Sequence, residues 1–144
     1  MIGFACDHGG LELKNALAEY AQSCGFNVRD FGTFSKESCD YPDFAFPCAK
    51  SVATGECDFG VVVCTTGIGM SICANKVKGV RCALCRSEKD AEMTRRHNNA
   101  NIIAFGQANG DIELSKKILE IFLNTQFEGG RHQRRVDKIT AEEK

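Results

Sequence analysis

No stretch of this 144-residue chain approaches the ~18 uninterrupted apolar residues that a membrane helix needs. Met1-Ile2-Gly3-Phe4-Ala5 carries neither a basic leader nor a cleavage-site pattern, so a cytoplasmic, non-membrane protein is expected. Charge of one sign is also missing. With 18 Lys and Arg against 19 Asp and Glu, the formal net charge of -1 gives no general attraction to nucleic acid, and any basic site must be local. Internal repeats, low-complexity tracts and linkers are absent, so residues 1–144 read as one domain. Hydrophobic residues at 43% and charged residues at 26% are values of a folded globular chain. Cysteine, by contrast, is plentiful. The nine cysteines are odd in number and scattered through strand-like and helix-like positions, which argues against a secreted disulfide framework and for reduced packing residues.

Apolar strands alternate with amphipathic segments along the chain. Ile2 to Cys6 predicts a first strand, and Leu13, Leu17, Tyr20, Ala21 and Cys24 recur at helical spacing up to Gly25. Phe26 to Gly32 alternates as a second strand, and a helix is expected from about Pro42 to Gly55. Val61 to Cys64, Val80 to Cys85 and Ile102 to Phe105 complete five strands, with helices from Ser87 to about Arg96 and from Ile112 to Leu123. The pattern implies a three-layer α/β/α domain on a mostly parallel sheet.

The most informative stretch is Val61-Val62-Val63-Cys64-Thr65-Thr66-Gly67-Ile68-Gly69, where a buried-strand pattern runs into a glycine-rich turn that can open a short helix. A thiol there sits beside unpaired helix N–H groups, which favour a thiolate and hold an oxyanion. Ligands of such sheets bind outside the carboxyl ends of the strands, where strand order reverses, commonly between the first and third strands. Those strands end in Asp7-His8-Gly9-Gly10 and Cys64-Thr65-Thr66-Gly67, which should face each other across one crevice. Two further clusters stand out. His97, in Arg95-Arg96-His97-Asn98-Asn99-Ala100-Asn101, can serve as a general acid or base or simply as a cation at a helix end. Glu128-Gly129-Gly130-Arg131-His132-Gln133-Arg134-Arg135 is the densest basic run, and the paired glycines suggest a turn that aims arginine forks at phosphate rather than a solvated tail.

Taken with Asp40-Tyr41-Pro42-Asp43-Phe44-Ala45, Ala74-Asn75-Lys76 and Phe127-Glu128-Gly129-Gly130-Arg131-His132, these segments make the whole chain resemble the type B ribose-5-phosphate isomerases. The resemblance implies a five-stranded parallel Rossmann-like fold and interconversion of ribose 5-phosphate and ribulose 5-phosphate in the pentose phosphate pathway, without metal or organic cofactor. It also implies a homodimer or homotetramer with shared sites, residues 125–144 packing on the partner subunit. In this alignment Cys64 is the base that takes the C2 proton, Thr66 helps move a proton between O1 and O2, and His97 opens the furanose ring. Asp7, Tyr41 and Asn98 bind the sugar, backbone N–H groups of Thr65, Thr66, Gly67, Ile68 and Gly69 receive the enediolate, and His8, Arg131 and Arg135 bind phosphate. Relatives that use allose 6-phosphate or galactose 6-phosphate keep a six-carbon substrate open as the alternative.

Three departures from the family pattern bear on the site. Thr65 replaces a common glycine, and a β-branched residue adopts positive φ only at a cost. Met70 stands where another branch carries a glutamate base, which leaves Cys64 as the base here. Gln107-Ala108 replaces a frequent arginine, so phosphate grip should rest on Arg131 and Arg135. Other classes fit less well: a cysteine phosphatase needs an arginine where Met70 stands, a P-loop needs Gly-Lys-Ser/Thr, and a flavin site needs more aromatic cover around Thr65-Thr66-Gly67. Cys82-Ala83-Leu84-Cys85 is a lone pair inside a strand pattern and reads as packing rather than a zinc site.

Overall fold

The computed structural model describes residues 1–143. Five strands, β1 (Ile2–Cys6), β2 (Val28–Asp30), β3 (Phe59–Cys64), β4 (Cys82–Leu84) and β5 (Ile102–Gly106), form one all-parallel sheet in the order β2-β1-β3-β5-β4. Helices α1 (Leu11–Ser23), α2 (Pro42–Ala53), α3 (Ile68–Asn75), α4 (Glu88–Asn98), α5 (Ile112–Asn124) and α6 (Arg131–Ala141) surround it. The expected fold class is therefore observed.

Strand side chains alternate between faces, and β3 shows how this builds two cores. Val61 and Val63 join Phe4, Leu17, Ile103, Leu119 and Phe122 on the face covered by α1, α4 and α5. Val62 and Cys64 join Ala5, Ala49, Met70, Ala74 and Ala104 under α2 and α3. The small residues of the second core let its helices lie close to the sheet. From β1 the chain passes outward through α1 to β2, then returns over β1 through α2 to β3, so strand order reverses between β1 and β3 as anticipated.

Three elements differ from the sequence reading. β4 is shorter than Val80–Cys85: Val80 still belongs to the turn after α3, its N–H donating to the Val77 carbonyl at 3.1 Å, while the Asn75 side-chain amide covers the outer edge of β4 at Cys82, donating to its carbonyl at 2.9 Å and accepting its N–H at 2.8 Å. β2 pairs as a ladder only over Val28–Asp30, although single bonds continue to Thr33. The basic run is neither a tail nor only a turn: Gly129 and Gly130, at φ +70° and +55°, turn the chain into α6, whose His132 and Val136 are buried. Among the described residues, no helix is long and apolar enough to cross a membrane.

Candidate active site

At the carboxyl ends of β1 and β3 the sequence leaves no room for side chains. A Cβ on Gly10 would lie 2.6 Å from the Val63 carbonyl oxygen, and one on Gly9 would lie 2.1 Å from Thr65 Oγ1, so glycine lets the turn after β1 touch β3 directly. The Asp7 N–H donates to the Val63 carbonyl at 3.2 Å. The Asp7 carboxylate, only 8% exposed, caps the turn by accepting from the Gly9 N–H at 2.9 Å. His8 faces solvent and accepts the Cys39 N–H at Nδ1, which in the neutral ring puts its proton on Nε2.

Across this crevice Cys64 ends β3, 6% exposed, and its Sγ accepts the Gly67 N–H at 3.1 Å. That bond depends on Gly67 at φ +79°, where an added Cβ would meet Leu84 at 2.6 Å and the Phe105 backbone at 2.8 Å. Ile68 then starts α3, and its N–H donates to Thr66 Oγ1 at 3.2 Å. The Tyr41 ring lies on Gly69, where a Cβ would come within 2.8 Å of it. Asp7, His8, Tyr41, Cys64, Thr65, Thr66, Gly67, Ile68 and Gly69 thus gather at one end of the sheet. Thr65 is unstrained, since Asn99 is the only described non-glycine residue at positive φ. Met70 is fully buried, and Gln107 turns away to accept the Leu13 N–H. Behind Cys64, burial and the neighbouring Cys64 push the Cys73 thiol up. Burial likewise raises the thiols of Cys82 and Cys85, the latter to about 12, as expected of packing residues.

The remaining expected residues lie elsewhere. α4 runs back along the sheet, and His97 and Asn98 occupy its last turn just before β5. Ile102 is level with Gly60, whereas Cys64 is level with Gly106. Four strand residues at ~3.3 Å each therefore separate the level of Cys64 from that of the α4 terminus by about 13 Å or more. Two arginines that the sequence reading left unassigned hold this end. Arg81 donates to the carbonyls of Asn98 and Asn99, and Arg95 donates to Asn99 Oδ1 at 2.9 Å and to the Ala100 carbonyl at 2.6 Å. Burial lowers the pKa of both guanidinium groups. Asn98 Oδ1 accepts from Thr94 Oγ1, and an open cleft of about 410 Å³ lies beside it, bordered by Arg81, Thr94 and Ile139. His97 stacks on His132, with ring centroids 4.1 Å apart, and Glu128 lies next to both rings. Arg131 and Arg135, one turn apart on α6, are exposed. The Glu128–His132 pair was also not anticipated; the i, i+4, i+7 spacing of His132, Val136 and Ile139 is the signal that would have placed α6.

The sequence profile of the family described as Ribose/Galactose Isomerase matches residues 2–139. Ribose-5-phosphate isomerase B of Escherichia coli (strain K12) is 45% identical over 140 residues, covering 97% of this chain and 94% of its own. The solved structure of Clostridium thermocellum ribose-5-phosphate isomerase B superposes with a TM-score of 0.96 at 47% identity, covering 97% of this chain and 95% of the other. Ribose-5-phosphate isomerase B from Mycoplasma genitalium with bound ribulose-5-phosphate gives a TM-score of 0.93 at 44% identity, over 97% and 93% of the two chains.

Proposed function

Since this chain belongs to the ribose/galactose isomerase family, we propose that it is an aldose–ketose isomerase of ribose 5-phosphate and ribulose 5-phosphate, acting in the cytoplasm. The observation that carries the reading is the Cys64 thiol at the end of β3, accepting the Gly67 N–H and walled by the Asp7-His8 turn. An N–H aimed at sulfur stabilises a thiolate, the form that can remove a proton from C2 of the open-chain sugar. The N–H groups of Gly67 and Ile68 are already used within the loop, so the enediolate oxygen falls to those of Thr65, Thr66 and Gly69. The Thr66 hydroxyl, exposed beside them, is suited to pass a proton between O1 and O2. Asp7 and Tyr41 border the sugar, and His8 offers Nε2–H to the phosphate.

Ring opening and proton abstraction act on atoms one or two bonds apart. A base and a ring-opening group separated by about 13 Å of sheet cannot both reach such atoms from one chain. We therefore assign His97, Asn98, Arg131 and Arg135 of a second copy to the site that holds Cys64. An isologous dimer makes two such composite sites, each pairing one copy's Cys64 end with the other's α4–α6 end. Turnover of ribose 5-phosphate, allose 6-phosphate and galactose 6-phosphate tests the substrate. The highest kcat/KM is expected for ribose 5-phosphate, and equal or better turnover of a six-carbon sugar would reject the assignment.

A further inference from the structure

His97 ends a helix half-exposed, where a free imidazole would sample several rotamers, yet it has a neighbour on two sides. Its face lies on His132, with the ring planes 14° apart. Its edge points toward Glu128, whose Oε1 is 4.0 Å from His97 Nε2 and 3.5 Å from His132 Nε2. Glu128 is itself tied to α4, its N–H donating to the Arg96 carbonyl at 3.1 Å. His132 is 6% exposed, and its Nε2 has no hydrogen-bond partner among the described residues, a costly arrangement that packing alone does not call for.

We propose that Glu128 and His132 are positioning residues for His97: the carboxylate fixes the direction of its Nε2, and the buried imidazole supports its ring. This deepens the isomerase reading above and rests on it. Burial first, then the neighbouring His97 and Arg131 with Arg135, lower the pKa of His132 against the opposing pull of Glu128. Glu128 Oε2 pairs with Arg96 at 3.6 Å, which leaves Oε1 facing the two imidazole edges. The ligand atoms of the three residues lie within 4.8 Å of one another, a spacing a cation could use. Stacked rings, however, keep their lone pairs in two near-parallel planes, so one ion does not lie in the plane of both, and the geometry favours positioning over coordination.

The test sets Glu128→Gln and His132→Gln beside His97→Asn with two readouts. One is isomerisation of ribose 5-phosphate. The other is solvent proton exchange into ribulose 5-phosphate, which cannot close a furanose because its O5 carries the phosphate. Each positioning variant should lose isomerisation by about tenfold or more, part of the ~10²–10⁴ that a positioned acid–base group supplies, while exchange stays within about threefold of wild type. Adding Glu128→Gln to His97→Asn should cost nothing further. Equal losses in both readouts, or full additivity in the double variant, would overturn the proposal. Glu128, half-exposed, carries the test even if His132→Gln does not fold. Wild-type protein that fails to turn over ribose 5-phosphate would instead overturn the isomerase reading beneath it.

Discussion

Mixing inactive variants tests the division of the site between two chains. Cys64 belongs to one end of the sheet, and His97 and Arg135 belong to the other. In a mixed dimer of Cys64→Ala and Arg135→Ala chains, one site carries both defects and the other carries neither. Random exchange of equal amounts makes half the dimers mixed, each with one good site of two, so about a quarter of wild-type activity should return. Cys64→Ala with His97→Asn should recover the same quarter, because His97 shares the Arg135 end. Mixing His97→Asn with Arg135→Ala should recover nothing, since every site then lacks one of the two groups. The assay is isomerase activity after unfolding and refolding mixed chains, with exchange verified by mass-tagged subunits. No recovery in either Cys64 pairing would place the whole site in one chain. Recovery only with Arg135→Ala, together with recovery in the His97–Arg135 pairing, would return His97 to the Cys64 end and refute the argument from register.

Two single-chain predictions follow from the Cys64 loop. Cys64→Ala should abolish proton exchange into ribulose 5-phosphate while sugar-phosphate binding, read by calorimetry, persists; exchange retained within about tenfold would move the base elsewhere. Gly67→Ala should cost about 2–5 kcal/mol of stability, summing ~1–2 for a left-handed alanine and ~1–3 for overpacking against Leu84 and Phe105. Urea unfolding measures this, and a loss under about 1 kcal/mol would mean that the loop relaxes around the methyl group.

Much of this molecule is legible in the chain because local and global signals agree. The apolar β3 run, the glycines against it and the Asp7-His8 turn each predict the same crevice, and each is found there. Legibility fails where a turn takes up the start of an apolar run or where few apolar residues mark a helix. Val80 is drawn into the turn after α3, and α6 buries only His132 and Val136 among a run of charges. α2 shows the opposite, since the helix expected from Pro42 to Gly55 forms although Pro47 lies inside it. The separation of His97 from Cys64 was hidden for a different reason. Motif order says which residues belong to a site, but only strand register tells which end of the sheet each occupies.

The cysteines have a practical consequence. Cys6 and Cys85 lie in the core beneath α1, α4 and α5, whereas Cys48, Cys57 and Cys73 lie in the core beneath α2 and α3. Burial raises the Cys6, Cys48 and Cys85 thiols to about 12, so in the native state these are poor nucleophiles toward an alkylating reagent. They react when the layer above them opens, and the rate at each sulfur then reports the opening free energy of that layer. The chain thus carries native reporters on both faces of its sheet, and residue-resolved alkylation can tell which helical layer loosens first without a single introduced label.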